Sequence, residues 1–147
     1  GRRVRGGVQR TAPEFHGLCT WGLQSDGNGK VLPFMNTDSA SVLKYGVELG
    51  IRTWRAFLEK AGWAREQVDR IICHQVGAGH QESIRRALGI PADRDFPTYR
   101  WLGNMGTVSL PLTAALAEER GFLRPGHRVG LLGIGSGLNC MMLAIEW

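Results

Sequence analysis

Two polar residues of this chain have side chains suited to holding an oxygen atom. His74 follows the apolar run 68–73, and Asn104 lies 30 residues further on, beside Gly103. A neutral histidine donates a hydrogen bond or moves a proton near neutral pH, and an asparagine amide serves as a donor in oxyanion holes. Each also has an ordinary structural interpretation, His74 as a core or helix-capping residue and Asn104 as a turn residue.

A glycine cluster near the C-terminus, residues 133–137, is a third candidate element. The dinucleotide-binding pattern needs its third glycine three places after the second and then a helix, whereas Leu138 begins another apolar run. A hydrolase elbow needs glycine two places before its serine, and Ile134 occupies that position. The remaining use is close approach of the backbone N–H groups near Gly135 and Ser136 to a bound carbonyl group.

The three cysteines supply no evident nucleophile. Cys73 and His74 are adjacent at the end of an expected strand, where neighbouring side chains point to opposite faces, so they do not readily form a nucleophile and base pair. Cys140 lies in an apolar run and is expected in the core. His16 and Cys19 have a His-x-x-Cys spacing, but no second pair completes a site, so we expect no metal.

Strands and helices alternate in the elements that must position these residues. Strands are predicted over 3–11, 68–73, 128–134 and 138–147, and helices from the cap at 37–39 to Gly62, over 80–88 and over 107–120. Residues 14–34 are predicted to be an irregular excursion with a hairpin at its glycines, and 95–102 an extended segment leading to Asn104. This alternation indicates an α/β fold with helices packed on a layered, mixed and largely buried sheet.

Composition excludes several classes of protein. The 147 residues fit one domain, and the net charge of +5 comes from scattered basic residues, unlike the clustered basic face of a nucleic-acid binder. No apolar run approaches the roughly 18 residues that span a bilayer. An odd number of cysteines without a secretory signal favours a reducing compartment, so a cytoplasmic location is expected.

Four segments together carry a resemblance to a known family: His74-Gln75, Gly103-Asn104, 109–112 and 133–138. They resemble the C-terminal half of thiolase-fold condensing enzymes of the β-ketoacyl carrier-protein synthase III type, and the likeness extends over essentially the whole chain. Within that family it is strongest to the head-to-head acyl-CoA condensing enzymes of bacterial long-chain olefin synthesis, on residues 6–8, 15–22, 102–111 and 132–139.

The resemblance implies a cysteine that takes an acyl group from a thioester, and then a Claisen condensation with a second acyl thioester. His74 and Asn104 match the family's histidine and asparagine, which together stabilise the enolate oxygen. The backbone near Gly135 and Ser136 matches the glycine-rich loop that helps hold the acyl carbonyl. No cofactor is implied, because acyl-coenzyme A or an acyl carrier protein presents the thioester as substrate. In olefin synthesis the product would be a β-keto acid from two fatty acyl-CoA molecules.

The chain departs from the family at the nucleophile. The family's reactive cysteine lies in the N-terminal half, and none of Cys19, Cys73 or Cys140 matches its position. Without a thiolate no covalent acyl intermediate forms. We therefore expect the chain to be inactive alone, with residues 1–36 as the end of an N-terminal-half strand and an irregular excursion, and 37–147 as the thiolase-like C-terminal domain. The implied partners are a missing N-terminal half and, in the complete enzyme, a second copy in a homodimer.

Two other functions stay open at this point. The chain could be a non-catalytic subunit of a split synthase that binds an acyl thioester or a carrier protein. It could also come from an enzyme of ordinary carrier-protein-dependent fatty-acid initiation with malonyl groups, in which His74 and Asn104 would serve decarboxylation.

Overall fold

The computed structural model describes all residues from Gly1 to Trp147. Strands and α-helices follow one another in the order β1 Arg3–Thr11, β2 Cys19–Ser25, β3 Val31–Thr37, α1 Ser39–Ala61, β4 Arg70–Cys73, α2 Ala78–Ala87, α3 Tyr99–Leu102, α4 Ser109–Glu119, β5 Arg128–Gly135 and β6 Asn139–Glu146. None of the helices combines the length and the apolar character that a membrane crossing requires.

The main sheet is mixed and has four strands in the order β1-β6-β5-β4. β6 runs antiparallel to both of its neighbours, while β4 and β5 are parallel. Asp95 adds a single parallel bridge to Ile71 on the far side of β4. β2 and β3 form a separate two-stranded hairpin. Its turn lies at the predicted glycines, but the prediction of an otherwise irregular excursion is wrong, because seven cross-strand pairs make the flanking segments regular strands.

Helix α1 packs on one face of the main sheet, and α4 covers the other face at β4 and β5, so this part of the domain has three layers. Alternate residues of β4 point to opposite faces, and Ile71 and Cys73 belong to the larger core cluster, which contains buried residues of α1. Ile72 belongs to the second cluster, together with Ala114 and Ala117 of α4. The two-residue period of a strand thereby distributes one short segment between two cores. The predicted α/β class and mixed sheet agree with this architecture.

The long helix α1 begins and ends close to the predicted residues. The Asp38 carboxylate accepts a hydrogen bond from the Ser41 backbone N–H at 3.0 Å, which satisfies one of the free donors of the first turn. Gly62 ends the helix with φ 67°, in the left-handed region that favours glycine. Leu49 and Phe57 are buried on the face that packs against the sheet.

Residues 95–102 differ from the prediction of an extended segment. Residues 99–102 form the short helix α3, and the Thr98 carbonyl accepts hydrogen bonds from the N–H groups of Trp101 and Leu102. The first N–H groups of this turn are held by the side chain of Gln75, 23 residues earlier. A tertiary hydrogen bond therefore overrides the local signal of Pro97.

β1 is paired with β6 from Arg3 to Thr11, so the first strand and the last belong to one sheet. A register shift between Val4 and Gly6 marks a bulge near the start of β1. The division of the chain at residue 36 stays a prediction.

Candidate active site

A cavity of about 360 Å³ lies between α1, α2, the β2–β3 hairpin and the main sheet. Most of its wall is apolar, and its larger apolar residues are Met35, Val42, Leu43, Val47, Val76, Ile84, Leu132, Ile134, Leu138 and Met142. Polar groups are few, as is usual for a pocket that binds an organic ligand. His74, Asn104, Gly135 and Ser136 all line this cavity, so the structure brings the four predicted site residues together.

His74 lies directly beyond the end of β4. Its backbone N–H donates to the Leu132 carbonyl at 2.8 Å, which continues the pairing of β4 with β5 by one residue. Burial lowers the pKa of the half-buried imidazole below the ordinary 6.5, and the nearby His80 lowers it further. The ring is therefore neutral at pH 7, with one nitrogen that donates and one that accepts.

Asn104 lies two residues beyond α3, after a backbone turn at Gly103. Gly103 has φ 65° and ψ −157°, a conformation that is essentially confined to glycine. The Asn104 side-chain oxygen accepts a hydrogen bond from the Gly106 backbone N–H at 3.0 Å. This bond occupies the oxygen, so the NH₂ group is left as the donor for a bound molecule.

Gln75 connects the two segments that carry these residues, and the sequence analysis assigned it no separate role. Its side chain is fully buried. The amide N–H donates to the Cys73 carbonyl at 2.7 Å. The amide oxygen accepts from the N–H groups of Thr98 at 2.8 Å and Tyr99 at 2.9 Å. Gln75 thereby links the end of β4 to the start of α3. The one signal for Gln75 in the sequence was its position beside His74.

The glycine cluster forms the end of β5 and the turn into β6. The Asn139 side-chain N–H donates to the Ser136 carbonyl at 2.9 Å and closes this turn. Gly135 and Ser136 are both exposed, and both line the cavity wall. Close approach of this backbone to a bound carbonyl group stays a prediction.

The three cysteines also line the cavity, and their thiol pKa values are shifted in different directions. Burial raises the pKa of the Cys73 thiol well above the ordinary 9.0 and that of Cys140 in the same direction. The pKa of Cys19 is lowered, because hydrogen bonding by Ser136 and then by Thr37 favours its thiolate. The Thr37 hydroxyl lies 3.4 Å from the Cys19 sulfur. Cys19 is thus the most readily ionised of the three thiols.

His80 and Gln81, in the first turn of α2, are further polar residues of the wall, as are Thr37 and Ser39. The Gln81 side-chain N–H donates to a carboxylate oxygen of Asp95 at 2.7 Å, and burial raises the pKa of Asp95 above its ordinary value. Sequence analysis missed both residues, because a histidine and a glutamine at the start of a helix are common on helix surfaces. No group of three or more His, Cys, Asp or Glu side chains is arranged to hold a metal ion.

The mixed sheet with its helices, and a histidine and an asparagine at one apolar cavity, agree with the thiolase-like domain that the resemblance implies. Residues 58–147, more than half of the chain, match the family described as 3-oxoacyl-[acyl-carrier-protein (ACP)] synthase III C terminal. The chain belongs to this family, which confirms the resemblance inferred from its motifs.

Two curated relatives are acyl-CoA:acyl-CoA alkyltransferases. That of Shewanella oneidensis is 56% identical over 145 residues, and that of Xanthomonas campestris is 35% identical over 145 residues. Each alignment covers 99% of this chain but only 42% and 40% of the respective relative. The chain therefore spans about two fifths of the length of the curated relatives that it matches.

Solved structures agree with the fold over the same extent. Cerulenin-bound OleA of Xanthomonas campestris has a TM-score of 0.86 at 36% identity, and covers 99% of this chain with 40% of its own. A cysteine-to-serine variant of that protein, with bound lauric acid and lauroyl-CoA, has a TM-score of 0.86 at 34% identity. 3-Oxoacyl-(acyl carrier protein) synthase III of Xanthomonas oryzae has a TM-score of 0.85 at 34% identity. The thiolase-like fold is thereby confirmed, while the roles of His74, Asn104, Gly135 and Ser136 stay predictions.

Proposed function

We propose that this chain forms the enolate-stabilising part of an acyl-thioester condensing site. The observation that carries the proposal is that His74 and Asn104, from two separate loops, line one apolar cavity together with the glycine turn. The neutral His74 ring and the free Asn104 NH₂ group each offer an N–H donor. Two fixed donors suit an oxygen on which negative charge develops.

In the proposed reaction, a base removes a proton from the α-carbon of one acyl thioester, and the enolate oxygen accepts hydrogen bonds from His74 and Asn104. The α-carbon then attacks the carbonyl carbon of a second acyl group, held as a thioester. The new carbon–carbon bond forms, the carbon–sulfur bond of the second group breaks, and its electron pair leaves on the thiolate. The backbone at Gly135 and Ser136 lies on the wall where the second carbonyl would be held.

The substrate class is proposed to be fatty acyl thioesters, on coenzyme A or an acyl carrier protein. The wall of the cavity supports this class, because apolar side chains from α1, β5 and β6 face the ligand space. Removing an alkyl chain from water is favourable by about 0.8 kcal/mol for each CH₂ group buried. The two relatives named acyl-CoA:acyl-CoA alkyltransferase support the head-to-head reaction of olefin synthesis.

We further propose that the reactive cysteine comes from a segment outside this chain, and that the chain alone does not condense acyl groups. The raised pKa values of Cys73 and Cys140 support this, because a protonated thiol is a poor nucleophile. The coverage of about two fifths of each relative supports a missing N-terminal half. Because Cys19 is the most readily ionised of the three thiols, its acylation in the chain alone would contradict this part of the proposal.

A surface beside Asn104 is proposed to be covered by that missing half. Trp101 and Val108 are 52% and 54% exposed, although both are large and apolar. Both residues lie within four positions of Asn104 in the sequence, and large apolar side chains left exposed near a site support a surface that another segment covers. A homodimer of the complete enzyme and a cytoplasmic location are proposed with it.

The test is co-expression of this chain with the remaining N-terminal segment of the Shewanella oneidensis relative, followed by incubation with dodecanoyl-CoA. We expect a covalent acyl group on the added segment and a β-keto product in mass spectra. His74→Ala and Asn104→Ala should each lower product formation by about 100- to 1000-fold, with the acylation retained. His16→Ala is the matched control, because His16 is exposed and lies outside the cavity.

The alternative function is that of a non-catalytic subunit of a split synthase, which binds the acyl thioester or its carrier. The two buried, protonated thiols favour this alternative over independent catalysis. It predicts that dodecanoyl-CoA binds to the chain but that no complementing segment restores condensation. Unimpaired product formation by His74→Ala in the complemented protein would contradict the main proposal. Comparison of malonyl carrier protein with dodecanoyl-CoA as substrates would separate the decarboxylating reaction from the head-to-head one.

A further inference from the structure

We propose that Gly50 of α1 and Ile84 of α2 close the inner end of the cavity and set the longest acyl chain that it accepts. The inference rests on the proposed function, because the ligand is the alkyl tail of the same acyl thioester. It assigns the choice among fatty acyl chains of different length to one contact between two helices.

The cavity extends along α1 from an exposed end to a buried one. Ser39, Gly46 and Gly50 all line its wall, and Ser39 is exposed whereas both glycines are buried. A helix rises by 1.5 Å per residue, so Ser39 and Gly50 lie about 16 Å apart along the axis. No residue of α1 beyond Gly50 lines the cavity, and Trp54, one turn further on, belongs to the core. Gly50 therefore marks the inner end.

At this inner end the side chain of Ile84 lies against the backbone of Gly50. A Cβ placed on Gly50 would come within 2.6 Å of Ile84 Cδ1, well inside the roughly 3.5–4.0 Å at which carbon atoms pack. Ile84 is half-buried and lines the cavity, and its Cδ1 is the free end of a flexible side chain. A larger residue at position 50 would therefore displace the end of Ile84, and the unfilled space beside Ile84 is the cavity.

Gly46, one turn of α1 nearer the exposed end, shows the same arrangement. A Cβ placed on Gly46 would lie 3.1 Å from Ile134 Cδ1, and Ile134 also lines the cavity. Glycine in the interior of a helix loses more conformational freedom on folding than alanine does. Helix stability thus does not explain two interior glycines on one face of α1, whereas room for the isoleucines at the cavity wall does.

The lining of the inner end indicates which part of the ligand it receives. No Asp, Glu, Lys or Arg side chain lines the cavity, and Gly50 and Ile84 offer no polar side-chain atom. A polar group of coenzyme A would lose its hydrogen bonds to water there, whereas an alkyl tail has none to lose. α2 begins four residues after His74, and Ile84 lies about 9 Å along α2 from its start. The carbonyl is therefore placed at His74 and the tail toward Ile84.

The experiment measures how affinity depends on the length of the alkyl chain. S-Alkyl-CoA thioethers, from hexyl to hexadecyl, carry no acyl group that could be transferred. Binding of each to the chain is measured by calorimetry for the wild type, Gly50→Ala, Ile84→Val and the double variant. Gly79→Ala is the matched control, because a Cβ at Gly79 meets open space and Gly79 does not line the cavity.

We expect the wild-type affinity to rise by about fourfold for each added CH₂ group until the tail reaches the inner end, and then to stay level. Gly50→Ala should shorten this limiting length by one or two carbons, so that the longest thioethers bind about 4- to 15-fold more weakly. The shortest should bind as before. Ile84→Val, which removes Cδ1, should lengthen the limit by about one carbon. The double variant should return to the wild-type limit, because the new Cβ takes the space that Cδ1 leaves.

A change of equal size at every chain length would mean a structural role and would overturn the inference. An unchanged limit in Ile84→Val would also overturn it, and this variant tests the inference even if Gly50→Ala does not fold. In both cases affinity would still rise with chain length, and the proposed function would stand. A wild-type chain whose affinity does not depend on chain length would overturn acyl binding by the cavity, and the inference with it. The two failures are therefore distinguishable.

Discussion

The side-chain oxygen of Gln75 accepts a hydrogen bond from the Thr98 backbone N–H at 2.8 Å, across 23 residues of sequence. Gln75 is the residue after His74, and Thr98 begins the turn of helix that leads to Asn104. One buried amide therefore couples the positions of the two residues proposed to hold the enolate oxygen. Positioning of this kind matters because donors act on a transition state only when their geometry is fixed in advance.

Gln75→Leu should destabilise the chain by about 3 kcal/mol or more, because three buried backbone groups lose their partner at once. Urea unfolding followed by circular dichroism measures the change. The control is Gln24→Leu, on the exposed part of the β2–β3 hairpin, for which a change within about 0.5 kcal/mol is expected. Equal stability of the two variants would refute the coupling.

Gly103→Ala should lower the free energy of unfolding by about 1–3 kcal/mol, because the backbone of a residue that has a Cβ is strained at φ 65° and ψ −157°. Nothing lies within 4 Å of the added Cβ, so the cost is one of backbone conformation and not of packing. Gly79→Ala, in the first turn of α2, is the matched control. The Cβ added at Gly79 also meets open space, and this substitution should be neutral or stabilising by up to about 1 kcal/mol. The free energy of unfolding of both variants, compared with wild type, tests this contrast.

The free energy of unfolding should fall as the pH drops below 6.5. The pKa values of His74 and His80 are lowered in the folded chain, so below 6.5 the unfolded chain binds protons that the folded chain does not yet bind. Above 6.5 both rings are neutral in both states and contribute nothing. Urea unfolding at pH 7.5 and 5.5 measures the loss.

The double variant His74→Gln, His80→Gln should lose less stability between these pH values than the wild type does. Asp95 has a raised pKa and acts in the opposite sense, but it is present in both proteins and cancels in the comparison. An identical pH dependence in the two proteins would contradict the lowered histidine pKa values.

Cys19 should react with iodoacetamide before Cys73 and Cys140, because its thiolate is favoured and the other two thiols are buried. Ser136→Ala should slow the reaction at pH 7.5, since Ser136 makes the largest contribution to lowering the pKa of Cys19. Peptide mapping after timed alkylation measures each rate. The Cys19→Ser variant should remain unlabelled until urea unfolds it, and early labelling of Cys73 in that variant would argue against the burial described.

Residues with strong local signals were predictable from the sequence. Asp38 and Gly62 mark the ends of α1 because capping acts within one turn of the helix. The apolar runs of β5 and β6 mark strands that each bury at least one face in the core. His74 was singled out because it follows a strand, and Asn104 because it follows a glycine, and both proved to line one cavity. Their roles stay predictions. All these signals are confined to a few neighbouring residues.

The parts that could not be predicted depend on partners far away in sequence. The helix α3 exists where Pro97 suggested an extended segment, because the side-chain oxygen of Gln75 accepts from the N–H groups of Thr98 and Tyr99 at its start. The place of His80 on the cavity wall depends on how α2 packs, and the lowered pKa of Cys19 depends on Ser136, far along the chain. Each of these properties arises only when the sheet has formed.

The position of β1 at the edge of the main sheet exposes one row of backbone N–H and C=O groups that no strand pairs. Such an edge is a template onto which another chain can add a strand, the first step of ordered aggregation. Arg3, Arg5 and Arg10 are exposed along β1, and the bulge between Val4 and Gly6 interrupts its regular ladder. Charge repulsion and irregular spacing thereby discourage two copies of the chain from joining edge to edge during folding.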